Sequence, residues 1–172
     1  MPLAADFIRI KIDAALRARA LAEVPARQMR RTRASPADAY LGILGELAWA
    51  VWRYGDAAQF DTLGTKGQVD DARSGVEIKT SKTRVDVRSH LMVREDYAQK
   101  RRAAFYVLAL VPFAQVDGAE TDVFLCGWAT HDELVARPPV ERVSRHTGKP
   151  QGYKCYEILC ADLHGMRELR LG

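Results

Sequence analysis

Hydrophobic positions at the start of the chain follow a helical spacing. Ile8, Ile12 and Leu16 recur at intervals of four, which predicts a helix over residues 6–23. The polar segment 25–36, PARQMRRTRASP, interrupts this pattern and is expected to end the helix. Its four arginines are Arg27, Arg30, Arg31 and Arg33.

A second helix has clear start and stop signals. Ser35 suits the N-cap, Pro36 the first helical position and Asp38 the third residue after the cap, and Gly55 ends the pattern. The predicted core stripe consists of Tyr40, Leu44, Leu47 and Val51. Glu46 falls at the edge of this stripe among small residues. Two interpretations follow: an exposed glutamate on a solvated flank, or an acid held near an apolar face for a function.

Strand-like patterns dominate the remainder of the chain. Segments AAQFDTLG (57–64, weakly), SHLMV (89–93), AFYVLALV (104–111), TDVFLCGWA (121–129) and KCYEILC (154–160) predict strands, and residues 67–81 predict a hairpin. Residues 94–103 suit a helix or turn, 130–137 a short capped helix, 138–153 a loop and 161–171 a last helical turn. This order predicts an α/β or α+β fold with a central mixed sheet.

The predicted hairpin carries candidate chemistry on both arms. Residues two apart in a strand share a face, so Glu77 and Lys79 point one way while Val76 and Ile78 point into apolar packing. A carboxylate binds hard divalent cations, and a lysine ammonium orients water or offsets phosphoryl charge. One carboxylate holds Mg²⁺ poorly, so a second acid is expected from the preceding arm.

Asp70 and Asp71 are the two candidates for that second acid. Successive residues of a strand point to opposite faces. If Val69 and Val76 both point to the core, Asp70 therefore lies on the other face with Glu77, and a hairpin loop with an even number of residues gives this pairing. A three-residue loop with Gly75 in the left-handed conformation gives the opposite register, with Asp71 beside Glu77. The first register is favoured, and Asp71 stays open as the alternative.

These motifs together resemble a known superfamily. GELAWAVW, then an aspartate, then VEIKT is similar to the PD-(D/E)XK nucleases, in particular to small phage and prophage members. The resemblance implies a restriction-endonuclease-like αβββαβ core, with a central mixed sheet flanked by helices. It implies one domain over 1–172: an N-terminal helical, basic extension (1–35), a catalytic core (36–135), and a basic loop, last strand and C-terminal turn (136–172). One departure is Val69, which stands where the family has proline.

The same resemblance implies a function. It predicts a metal-dependent deoxyribonuclease in which Glu46, Asp70 and Glu77 hold Mg²⁺ or Mn²⁺ and Lys79 positions or activates the attacking water. The alternative is a catalytically inactive nuclease-fold protein that binds nucleic acid or serves as an accessory subunit. The substrate is expected to be DNA, with RNA left open, and a homodimer is possible.

Composition permits this interpretation. The chain of 172 residues has a net charge of +4 and a pI near 9.1, which suits a polyanionic partner without requiring one. The residues predicted to contact nucleic acid are Arg30, Arg31, Arg33, Lys82, Arg84, Arg145 and Lys149. The alternative is that these basic residues only form a solvated surface and bind no nucleic acid.

Other classes of protein are disfavoured by the sequence. It contains neither a run of apolar residues long enough for a membrane span nor a secretory signal pattern. Three cysteines, Cys126, Cys155 and Cys160, suit buried free thiols in a reducing cytoplasm, and their spacing matches no common zinc pattern. A phosphate-binding G-x-x-x-x-G-K-[ST] loop is absent.

Overall fold

A computed structural model describes residues 6–30, 35–62, 68–113, 121–144 and 146–171. Its strands are β1 (Ile8–Ile12), β2 (Val76–Lys82), β3 (His90–Arg94), β4 (Phe105–Val111), β5 (Thr121–Thr130), β6 (Val140–Val143) and β7 (Pro150–Leu159). Its α-helices are α1 (Ala14–Arg30), α2 (Pro36–Tyr54), α3 (Glu95–Lys100) and α4 (His131–Val135). Short 3₁₀ helices cover Ala57–Thr62, Cys160–Asp162 and Met166–Glu168.

The strands form two sheets. A mixed four-stranded sheet has the order β1-β5-β4-β2, in which β2 and β4 are parallel and the other pairs are antiparallel. A second, antiparallel sheet has the order β3-β7-β6. The α/β class with a mixed sheet is therefore confirmed. The second sheet is a difference from the expected arrangement, since β3 and β7 do not extend the mixed one.

Hydrophobic side chains on both faces of β4 explain the second sheet. Val107 and Ala109 pack with α1 and α2 on one face, in a first hydrophobic core. Tyr106, Leu108 and Leu110 point to the other face, where they pack with the buried side chains of β3 and β7 in a second core. A central strand that is apolar on both faces needs a layer on each side.

The beginning of the chain was predicted wrongly as a helix over residues 6–23. Residues 8–12 form β1, which pairs with β5, and α1 begins only at Ala14, where Asp13 accepts a hydrogen bond from the backbone N–H of Leu16. A spacing of four residues fits a helix, but it also fits a strand, because a strand repeats every two residues and four residues are two such repeats. Ile8, Ile10 and Ile12 alternate with charged residues, as in a strand.

Helix α1 also continues through the segment that was expected to break it. Pro25 lies inside α1, which runs on to Arg30 and packs against α2. A proline within a helix removes one backbone hydrogen bond and costs about 3 kcal/mol, so its presence favours ending the helix. Packing against α2 offsets this cost. The free energy of that packing cannot be read from the sequence of α1 alone, since it depends on a second segment of the chain.

Two further segments differ from their predictions. Residues 57–62 form a 3₁₀ helix instead of a weak strand. The expected loop 138–153 instead contains β6 and the start of β7, which pair as a hairpin. Both strands are largely exposed here, so they lack the hydrophobic alternation by which a strand is recognised in a sequence. Residues 161–171 include 3₁₀ turns.

The signals for α2 and α4 were interpreted correctly. Ser35 accepts a hydrogen bond from the backbone N–H of Asp38, and Gly55 ends α2 in the left-handed conformation, with φ of 68°. Thr130 and Glu133 form a complete capping box at the start of α4. None of the helices in the described ranges is long and apolar enough to cross a lipid bilayer.

Gly45 lets α2 lie unusually close to β2. A Cβ atom built at Gly45 would lie 1.9 Å from Oγ1 of Thr80 and 3.2 Å from its Cβ, so no side chain fits there without movement. Gly42, three residues earlier on the same helix, has nothing within 4 Å of a corresponding Cβ. The Gly-Glu pair of the sequence therefore has a steric basis: Gly45 brings α2 against β2, and Glu46 is the next residue.

This contact predicts opposite effects for alanine at the two glycines. Gly45→Ala should lower the free energy of unfolding by about 1–3 kcal/mol because it overpacks the contact between α2 and β2. Gly42→Ala should raise it by about 0.5–1 kcal/mol through helix propensity alone. Urea denaturation measures both changes. Adding Thr80→Ala to Gly45→Ala should recover part of the loss, and a double variant as unstable as Gly45→Ala would contradict this account.

Candidate active site at the edge of the mixed sheet

The hairpin register shows which of the two aspartates lies opposite Glu77. The backbone N–H of Asp71 donates to the carbonyl of Val76 (2.8 Å), and the N–H of Val76 donates back (3.0 Å), so residues 72–75 form a four-residue loop. Asp70 is then opposite Glu77, and its backbone N–H donates to Glu77 Oε2 at 3.1 Å. The predicted even-numbered register is confirmed. Gly75 does adopt a positive φ of 66°, but within this loop.

One premise behind that prediction was wrong. Val69 packs against the second hydrophobic core, whereas Val76 and Ile78 belong to the first. The first arm pairs with β2 only at Asp71, so it does not continue as a strand back to Val69. Asp70 is instead fixed along the outer edge of β2, where its Oδ2 accepts the backbone N–H of Ile78 at 2.8 Å.

Asp71 lies in a separate, structural environment. Its fully buried carboxylate accepts hydrogen bonds from Trp49 Nε1 (2.8 Å) and the Tyr54 hydroxyl (2.6 Å), both on α2. The backbone N–H groups of Arg73 and Ser74 donate to its other oxygen. Burial raises the pKa of Asp71, but these donors lower it more, so the pKa lies below its ordinary value. Asp71 therefore anchors the turn to α2.

Glu77 and Lys79 form a short ion pair on β2. Lys79 Nζ lies 2.6 Å from Glu77 Oε1, and their side chains are 23% and 8% exposed. Burial and the nearby charge of Asp70 raise the pKa of Glu77 above its ordinary value. Burial lowers the pKa of Lys79, but the charges of Glu77 and Asp70 raise it more. Lys79 is consequently a protonated donor at neutral pH.

Glu46 is buried, at 3% exposure, so the interpretation as a solvated flank residue is wrong. Both of its oxygens accept hydrogen bonds from the guanidinium of Arg27 at 2.6 Å. Sequence reasoning placed Arg27 in the polar segment 25–36, after the predicted end of the first helix. It missed this pairing because the helix that carries Arg27 was expected to end before it.

Glu46, Asp70, Glu77 and Lys79 all line one cavity of about 220 Å³. Its lining consists of Arg27, Asp38, Ala39, Gly42, Glu46, Asp70, Glu77, Ile78, Lys79, Thr80, Tyr97 and Arg101. Tyr97 and Arg101 come from α3 and its C-terminal end, and sequence reasoning did not select them. The ring of Tyr97 lies 5.9 Å from Lys79 Nζ and 5.3 Å from the Arg101 guanidinium carbon, within range of cation–π attraction.

The donors in this cavity suit a hard divalent cation. Glu46, Asp70 and Glu77 supply carboxylate oxygens, which are the ligands that Mg²⁺ and Mn²⁺ prefer. Across the described ranges, however, no three acidic, histidine or cysteine side chains are grouped closely enough to hold one metal ion. The donor chemistry therefore fits the ion, while Glu46 is held by Arg27 in the geometry observed.

A wider groove of about 760 Å³ adjoins the cavity and shares Asp38 and Thr80 with it. Lys82 and Arg84, two of the residues predicted to contact nucleic acid, line this groove. Phe113 lies beside them with 62% of its surface exposed, and Lys82 Nζ is 6.0 Å from its ring centre. The groove thus continues from the carboxylates with Lys82 and Arg84 in its lining, together with the ion pairs Arg88–Asp86 and Arg142–Glu157.

Among the other predicted contacts, Lys149 is the one whose side chain the structure describes. Lys149 is exposed between β6 and β7 and lines neither the cavity nor the groove. Arg31, Arg33 and Arg145 lie outside the described residues, as does the side chain of Arg30. Cys126, Cys155 and Cys160 are buried and unbridged.

Comparisons of this chain with protein-family models, with curated proteins and with solved structures find no match.

Proposed function

We propose that this protein is a metal-dependent nuclease that hydrolyses phosphodiester bonds in DNA. The observation that carries the proposal is the convergence of three buried acids and one lysine on a single cavity, from three separate segments of the chain. Buried charges are costly unless they are paired, so such a cluster is retained at a cost to stability. Clusters of this kind are typical of functional sites.

In this proposal Glu46, Asp70 and Glu77 would hold Mg²⁺ or Mn²⁺. Such an ion would supply polarisation of the scissile phosphate and a lowered pKa for a water bound to it. Asp70 is fixed for this role by the backbone N–H of Ile78, and Glu77 by the backbone N–H of Asp70. Lys79 is a protonated donor at the cavity wall, so it orients the attacking water and stabilises negative charge on the phosphate.

The arrangement of elements supports a restriction-endonuclease-like core. Helix α2 packs against β2, which carries the E-x-K residues, and along the chain β3 and α3 separate β2 from its parallel neighbour β4. The aspartate arm precedes β2, as the resemblance implies. In the described chain this arm makes a single bridge to β2 instead of a full strand.

The groove beside the cavity supplies a path for the substrate backbone. Lys82 and Arg84 follow the catalytic segment directly along the chain, so a strand whose phosphates contact them passes the carboxylates. Most affinity for DNA comes from such phosphate contacts, and it weakens as salt is added. A homodimer stays a prediction.

One observation favours a second candidate function. Arg27 already occupies both oxygens of Glu46, as expected if the fold binds nucleic acid and does not cut it. The two candidates predict different results with the same protein, because both require binding to DNA but only the nuclease requires a metal.

The test is incubation of the purified protein with circular, linear and branched DNA and with RNA. Mg²⁺, Mn²⁺ or EDTA is added in parallel, and binding is measured on the same substrates. We expect cleavage of DNA with either metal and none with EDTA. Salt-dependent binding without cleavage under any condition would support the binding protein. Absence of both binding and cleavage would contradict both functions.

A further inference from the structure

Two cations of the described chain interact with the acidic groups of the cavity. Lys79 is paired with Glu77, and Arg27 with Glu46, while the charge of Asp70 acts on both cations. Burial lowers the pKa of Arg27, but Glu46 and Asp70 raise it more, so the guanidinium stays charged. Arg27 thus stands among the acids as a fixed cation supplied by the chain itself.

The pair between Arg27 and Glu46 has the geometry of a strong interaction. Two parallel hydrogen bonds of 2.6 Å join the guanidinium to both carboxylate oxygens. The side chains are only 16% and 4% exposed, so water competes weakly with the pair. Bidentate arginine–carboxylate pairs are stronger and more specific in geometry than single hydrogen bonds.

We propose that Arg27 is a latch that competes with a divalent cation for Glu46. This inference rests on the proposed nuclease function and adds a residue that controls access to its metal site. A divalent ion at Glu46 would lie close to the guanidinium, and like charges in a poorly hydrated cavity repel strongly. Metal binding at Glu46 therefore requires the two hydrogen bonds to break, which weakens the affinity for metal.

The latch is tested by titrating Mn²⁺ into the full chain without nucleic acid. Calorimetry and the electron paramagnetic resonance signal of free Mn²⁺ measure the affinity. We expect Arg27→Met to bind Mn²⁺ roughly tenfold more tightly than the wild type, because the ion no longer has to displace two charge-assisted hydrogen bonds. Arg19→Gln, on the same helix but outside the cavity, is the control and should leave the affinity unchanged.

Thermal unfolding gives a second readout that does not depend on activity. Without metal, Arg27→Met should melt at a lower temperature, because the buried Glu46 then loses its bidentate pair with Arg27. With Mn²⁺ in excess its melting temperature should rise more than that of the wild type, since a tighter ligand stabilises more at equal concentration. Equal rises for the two proteins would overturn the latch and leave Arg27 with a structural role only.

A double-variant cycle ties the effect to Glu46. In the background of Glu46→Gln, removing Arg27 should no longer tighten Mn²⁺ binding, and a tenfold gain there would overturn the proposal. If Arg27→Met does not fold, Arg27→Lys keeps the charge but loses the bidentate pair, and it should bind Mn²⁺ with intermediate affinity. Unchanged affinity in Arg27→Lys would then overturn the proposal.

The latch and the nuclease function fail in different ways. Metal-dependent cleavage by the wild type, together with an unchanged Mn²⁺ affinity in Arg27→Met, removes the latch alone. If neither the wild type nor any Arg27 variant binds Mn²⁺, both proposals are overturned.

Discussion

Replacement of Lys79 by methionine is expected to lower the rate of DNA cleavage roughly a hundred- to a thousand-fold, the effect of removing one donor that stabilises transition-state charge. Lys79 is the protonated donor on the cavity wall, and its ammonium lies 2.6 Å from Glu77. Methionine keeps a long side chain but supplies neither charge nor hydrogen bond. Single-turnover cleavage at saturating Mg²⁺ measures the change in the chemical step.

Two comparisons isolate the role of Lys79. Lys82→Met, on the same strand but in the groove, should weaken binding to DNA with little effect on the rate at saturating protein. Far-ultraviolet circular dichroism should show both variants folded, since the hydrophobic contacts of β2 come from Val76 and Ile78. Cleavage by Lys79→Met at near the wild-type rate would remove Lys79 from the mechanism.

Substitutions of the two adjacent aspartates are expected to have different effects: one should abolish cleavage, and the other should lower stability. Asp70→Asn should abolish metal-dependent cleavage while changing the free energy of unfolding by less than about 1 kcal/mol, because an amide oxygen still accepts the N–H of Ile78. Asp71→Asn should lower that free energy by about 2–3 kcal/mol, because an amide group cannot accept hydrogen bonds at both of its ends. Urea denaturation and cleavage assays on the same preparations measure the two effects.

The stability effect of Asp71 should depend on pH in a defined direction. Its pKa is lower in the folded protein than the value of about 3.9 for an exposed aspartate. The ionised group therefore contributes its full stability above about pH 3.9, and that contribution is lost as the pH falls through the folded pKa. The difference in unfolding free energy between wild type and Asp71→Asn should be larger at pH 6 than at pH 3.

The converse pattern would contradict the assignment. If Asp71→Asn loses cleavage while keeping its stability, and Asp70→Asn still cuts, Asp71 is the functional acid and the turn must rearrange on metal binding. Asp56→Asn is a matched control, since Asp56 is exposed and outside the cavity. It should change neither the stability by more than about 0.5 kcal/mol nor the cleavage rate.

Local signals in the sequence were sufficient where neighbouring residues determine the structure. Ser35, Asp38 and Gly55 determine both ends of α2 through hydrogen bonds and backbone conformation within a few residues. The register of Asp70 follows from the length of the loop, since the observed four-residue loop puts it opposite Glu77, but the sequence also allowed a three-residue loop. This register was predicted correctly even though Val69 packs against a different core from the one assumed.

Long-range packing decided the parts that the sequence left open or predicted wrongly. Glu46 is buried because Gly45 brings α2 against β2 and because α1 covers it with Arg27. Periodicity gives the face of a helix but does not say which element covers it. The continuation of α1 past Pro25 and the second sheet likewise depend on contacts between distant segments. Those contacts contribute free energy that exceeds local preference and that no single segment contains.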